Sequence, residues 1–73
     1  MIKISEENKR YLLSQNIDIS EELEKEDLEK ILEIIDDAVV DNILDNDDEP
    51  DQIGIYLQRI YDTIRADNID YFN

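Results

Sequence analysis

The side chains that ordinarily do covalent chemistry are nearly missing from this chain. It has no histidine and no cysteine. That removes the commonest general base, the commonest thiol nucleophile, and the usual ligands of zinc and other transition metals. The hydroxyls are Ser5, Ser14, Ser20 and Thr63, and Ser5 and Ser20 sit where helix caps are expected. One glycine cannot build a phosphate-cradling loop. What remains is carboxylate: 21 Asp and Glu against 7 Lys and Arg, a formal net charge of −14. Carboxylate pairs occur everywhere along such a chain, so none stands out as an acid–base couple. These residues read as a protein that is not an enzyme, holds no cofactor and acts by binding.

Two carboxylate patterns carry more than composition. The run Asp45-Asn46-Asp47-Asp48-Glu49-Pro50-Asp51 opens like a calcium loop, with oxygens at its first, third and fifth positions. The position that needs glycine is Pro50, and the position of the bidentate glutamate is Tyr56. A solvated linker is therefore expected there, and no metal. The second pattern is a row, Glu29, Glu33, Asp37, Asp41 and Asp45, recurring every fourth residue. On a helix these acids step by about 6 Å and span about 24 Å. Between Ile31 and Gln58 there are nine acids and no base. Like charges four residues apart on a helix cost about 0.2–0.5 kcal/mol per pair. The row is either the solvated back of an amphipathic helix or a surface for a basic partner, which Asp47 and Asp48 of the linker extend.

The charge also bounds the partners. An excess of −14 repels nucleic acid and anionic lipid and attracts basic protein surfaces. Neither direct nucleic-acid binding nor membrane binding is expected. The start of the chain does not resemble a signal peptide and no long apolar run follows, so the expected location is the cytoplasm.

The elements that must position these residues follow from periodicity and caps. Over residues 1–73 the chain is expected to form one domain, with 13 isoleucines and 7 leucines available for its core. Ser5 caps a first helix, with Glu6 and Glu7 in its opening turn. Asn16, which tolerates a left-handed turn, ends that helix. Ser20 caps a long second helix running to about Asp45, whose face is Leu28, Ile31, Leu32, Ile35, Val39 and Ile43. The polar gap from Leu23 to Leu28 leaves room for a break, with Asp27 as an alternative cap. Asp48 is expected to cap the third helix, with Pro50 in its first turn and Asp51 reaching back. Ile53, Leu57, Ile60 and Ile64 form its apolar seam, flanked by Tyr56 and Tyr61. With no hairpin dipeptide to turn a sheet, the fold class is all-α: a small three-helix up-down-up bundle with a long, strongly acidic second helix.

In size and charge the chain resembles acyl carrier proteins, which carry their prosthetic group on the serine of an Asp-Ser-Leu motif. The nearest text here, Asp18-Ile19-Ser20-Glu21, departs from that motif at the residues that matter, so the resemblance implies no such group. Acidic helical immunity proteins, which neutralise basic nuclease toxins, are similar in class, although their tyrosine-bearing recognition motif has no counterpart here.

The function expected is that of an acidic inhibitor or regulator, of a phage, mobile-element or immunity type. It would engage a basic surface on a nucleic-acid-binding enzyme, toxin or regulator. Either the carboxylates imitate a phosphate row, or they steer encounter while aromatic residues such as Tyr56 and Tyr61 supply affinity. The alternative is an assembly module that self-associates through the seam of the third helix, giving a monomer or weak homodimer. If the acids are crowded and exposed, screening them over about 10 Å at 0.1 M salt should raise the melting temperature relative to low salt. Calorimetry across that range checks it, and a flat or falling melting temperature contradicts it.

Overall fold

The helices start and stop where polar side chains or left-handed residues take up their free backbone groups. A computed structural model describes residues 2–45 and 51–72. Its elements are α1 (Glu6–Ser14), α2 (Ser20–Glu24), α3 (Leu28–Asp45) and α4 (Gln52–Asp67), followed by a 3₁₀ turn at Ile69–Phe72. There is no strand among the described residues. No described helix is long and apolar enough to cross a membrane.

Ser5 caps α1 as expected, its Oγ accepting from the Asn8 amide at 3.1 Å. Asn16 ends it in the left-handed region at φ 63. There the Ile17 amide donates to the Leu12 carbonyl and the Asn16 amide to the Leu13 carbonyl, the paired bonds of a Schellman turn.

The expected long second helix is two helices. After α2, Glu26 takes φ 54, and the Asp27 and Glu26 amides donate to the Glu22 and Leu23 carbonyls. This is a second Schellman turn, and it places a residue with a Cβ where glycine or asparagine is preferred. Asp27 then caps α3, accepting from the Lys30 amide at 3.2 Å. Ser20 is not the cap of α2 either. It is the first helical residue, held by Asp18, whose carboxylate accepts from the Ser20 hydroxyl and amide at 2.7 and 2.9 Å. The cap of α4 is Asp51, which accepts from the Gly54 amide at 3.1 Å. The expected cap Asp48 and first-turn Pro50 lie outside the described residues.

The core is Leu12 of α1, Ile19, five residues of α3 (Leu28, Ile31, Leu32, Ile35, Val39), three of α4 (Leu57, Ile60, Ile64), and Ile2. Its most extensive contact is α3 against α4. The seam of α4 is thereby used within the chain: Leu57, Ile60 and Ile64 are buried, and only Ile53 is exposed. It does not present an open face to a second copy.

Both neighbours of α4 run counter to it. Asn42 near the end of α3 meets Asp51 at the start of α4, while Glu29 and Leu32 near the start of α3 line one groove with Tyr61 and Arg65. Lys3, ahead of α1, meets Asn68 at the end of α4. Tyr11 then reaches Tyr56, about three-quarters of the way back along α4. So α1 and α3 share a direction and α2 returns the chain between them. An up-down-up triple would instead set the first and last long helices parallel.

Asn68 fastens the start of the chain to the end of α4. It is 3 % exposed, its Oδ1 accepts from the Lys3 amide at 2.7 Å, and its Nδ2 donates to the Lys3 and Ile64 carbonyls at 2.9 and 2.7 Å. One side-chain amide thus satisfies both backbone groups of Lys3, as a neighbouring strand would. Asn68→Ala should lower stability by about 1 kcal/mol or more, because the Lys3 amide and carbonyl lose their part-buried partner, while the Ile64 carbonyl keeps the residue 68 amide. Asn68→Asp should be at least as damaging at neutral pH, since an oxygen then faces two carbonyls. It should recover in part on acidification, when that oxygen regains a proton to donate. Denaturant melts at two pH values check this, and an Asp variant as stable as wild type at neutral pH contradicts it.

Candidate functional site

On α3, five buried residues leave the opposite face to the acids. Glu29, Glu33, Asp37 and Asp41 are all exposed, and so is Asp36. Asp45 ends α3, its side chain outside the described set, and Asp47 and Asp48 lie wholly outside it. The row is not straight. Each four-residue step turns about 40° past a full turn, so from Glu29 to Asp41 the acids wind about 120° around the helix. Glu29 and Glu33 therefore lean towards α4, whereas Asp37 and Asp41 lie on the back.

The bases do not follow them. Three ion pairs are local: Lys9 to Glu6 at 2.7 Å, Lys25 to Glu21 at 2.8 Å, and Lys30 to Glu33 at 3.6 Å. The last of these touches the row. No base stands in the last turn of α3, where the helix dipole favours a cation and disfavours Asp41.

Where the row meets α4 it forms one side of a groove lined by Glu29, Leu32, Glu33, Asp36, Tyr61 and Arg65. Leu32 is buried and Tyr61 half-buried. Tyr61 thus joins two acids of the row. Tyr56 does not, because five residues along a helix turn it about 140° away. Tyr56 instead packs on Tyr11, ring centroids 4.2 Å apart at 36°, and burial pushes the Tyr11 hydroxyl above its ordinary range, with Tyr56 and Asp51 adding to the effect. Tyr56 is part of the seal between α1 and α4 rather than an aromatic standing beside the acids.

Sequence reasoning missed Asp36, Leu32 and Arg65 as groove residues. Asp36 lies three residues after Glu33 and seven after Glu29, which is the spacing of one helical edge, so mixed three- and four-residue spacing would have found it. Arg65 becomes relevant only once α4 is known to run counter to α3. No group of three or more Asp or Glu among the described side chains is placed to hold a metal ion.

Asp51 is withdrawn from the acidic surface by its structural work. Besides the Gly54 amide it accepts from Asn42 Nδ2 at 2.8 Å, and its own amide donates to Asn42 Oδ1 at 3.2 Å. These bonds, the Gly54 amide first and the Asn42 side chain second, hold its carboxyl below the ordinary range. Asp18 is lowered by the Ser20 hydroxyl and then the Ser20 amide, and Glu6 chiefly by its bond to Lys9.

Comparison of the chain with known protein families, with curated proteins and with solved structures finds no match.

A carboxylate whose folded pKa is depressed contributes stability at pH above its unfolded value, and that contribution is lost as pH falls through the folded value. For Asp51, whose carboxyl is lowered, the contribution is full at neutral pH and is lost progressively on acidification. Asp51→Asn keeps a capping oxygen that does not titrate. Between pH 6 and pH 2.5 its melting temperature should therefore fall less than that of wild type. Equal falls would mean that the Asp51 carboxylate contributes nothing to the pH dependence.

Proposed function

We propose that the chain is an acidic protein-binding inhibitor or regulator that engages a basic surface on a nucleic-acid-binding partner. The observation that carries this reading is the exposed acid row of α3. Glu29, Glu33, Asp37 and Asp41 stand along about 18 Å of one helix, and no base follows Lys30 within that helix. A helix face selected for solubility alone mixes signs, because i,i+4 pairs of opposite charge stabilise and pairs of like charge destabilise. Here like charges stand at i,i+4 up to a helix end that disfavours them. A partner's lysines and arginines would relieve that repulsion, so the free chain is poised to bind cationic protein. The rival reading, self-association through the seam of α4, loses its support because Leu57, Ile60 and Ile64 lie in the chain's own core.

The test replaces Glu33→Gln, Asp37→Asn and Asp41→Asn together. The control triple is Glu7→Gln, Glu24→Gln and Asp70→Asn, three exposed acids spread over the molecule. Glu21 and Glu22 are poorer controls, since Glu21 is paired with Lys25 and Glu22 is partly buried. The stripe triple should gain about 1 kcal/mol of stability from relieved repulsion. Immobilised wild type and control should retain basic nucleic-acid-binding proteins from a lysate, and the stripe triple should not. With any protein so retained, the stripe triple should associate more slowly and with a flatter salt dependence. Equal behaviour of the two triples would leave only bulk charge and sink the row as a surface.

A further inference from the structure

The groove between the start of α3 and the end of α4 combines charge with an apolar floor. Leu32 and Tyr61 form the floor, Glu29, Glu33 and Asp36 one wall, and Arg65 stands on the other. Three acids against Arg65, with Lys30 paired to Glu33 at 3.6 Å, leave the groove electronegative, so charge selects a cationic occupant, and the Leu–Tyr floor selects one with an apolar side chain as well. We propose that this groove seats an amphipathic basic helix of the partner. One apolar side chain of that helix would lie over Leu32 and Tyr61, and Lys or Arg four residues apart would meet the acids of α3. This rests on the reading of the chain as an acidic binding protein.

The spacing argues for a helix. Glu29, Glu33 and Asp36 lie at i, i+4 and i+7 of α3, rising about 6 and then 4.5 Å. A second helix laid beside α3 has the same rise, so bases at i, i+4 and i+7 face the acids in register. An extended segment advances about 3.3 Å per residue, and its alternate bases fall out of step over the same length. A second copy of this chain does not fit. No two bases stand three or four residues apart in its sequence: Lys3, Lys9, Arg10, Lys25, Lys30, Arg59 and Arg65. The occupant therefore has a charge pattern this chain lacks.

The probe is a fluorescein-labelled, end-capped helical peptide of Lys, Ala and Leu, with leucines on one face bordered by lysines four residues apart. Anisotropy compares two double variants with the same change of charge. E29Q/D36N changes the groove wall and leaves the tested stripe residues intact, whereas D37N/D41N changes only the back of α3. Wild type should bind the peptide. The groove double should weaken binding about tenfold or more, the back double about threefold or less. A peptide with alanine for leucine should also bind more weakly. Amide NMR shifts in wild type on adding peptide should gather at residues 29–36 and 61–65, which locates the site without any variant.

Equal weakening by the two doubles, indifference to the leucines, shifts centred elsewhere, or no binding by wild type would each overturn the groove. That failure is separable from failure of the broader reading. If the stripe triple loses captured basic proteins while the groove double keeps them, the acid row stands and the groove falls. If neither variant loses them, both fall.

Discussion

Everything else in this molecule depends on the apolar contact between α3 and α4. The chain carries −14, has no cysteine to cross-link, and surrounds a small core. Ile31 and Ile35 of α3 and Ile60 and Ile64 of α4 are almost completely buried. Burying each such side chain contributes about 1.5–3 kcal/mol, set against the repulsion of the surface and the entropy of ordering the chain. Where the end of α3 meets the start of α4, Gly54 is buried in the first turn of α4. Asn42 and Asp51 then lock that end by paired hydrogen bonds. The acid row can be arrayed on α3 because its opposite face is fastened this way.

The distribution of the bases follows the same division of labour. Lys9 and Lys25 are paired with acids of their own short helices, α1 and the α2 turn, and Lys30 with Glu33 at the entrance to α3. Beyond Lys30, α3 has acids and no base. Exposed pairs of this kind contribute little to stability, at most about 1 kcal/mol each. Their larger consequence is that cations are held where acids are already scattered, and the back of α3 keeps its field. The Tyr11–Tyr56 contact makes the comparable point for aromatic residues, since it closes α1 onto α4 and so takes Tyr56 out of the candidate surface, leaving Tyr61 beside the acids.

The amino-acid sequence by itself determined the helical class, the cap at Ser5, the left-handed stop at Asn16 and the apolar faces of α3 and α4. All of these rest on interactions between residues a few positions apart, which spacing reports directly. It also determined that Glu29, Glu33, Asp37 and Asp41 lie off the apolar face of one helix, because their offsets from Ile31, Ile35 and Val39 fix that without a fold. The break at Glu26 was legible as a polar gap, with Asp27 as the alternative cap that the structure uses. Nothing local favours a left-handed glutamate, and α2 must turn off there for Leu28 to start the face that packs on α4. Only the tertiary structure decided that α1 and α3 share a direction, that the seam of α4 is consumed inside the chain, and that Asp36, Leu32, Tyr61 and Arg65 come together. Those facts depend on which helices meet and in which sense, and a contact between residues thirty positions apart leaves no period in the sequence.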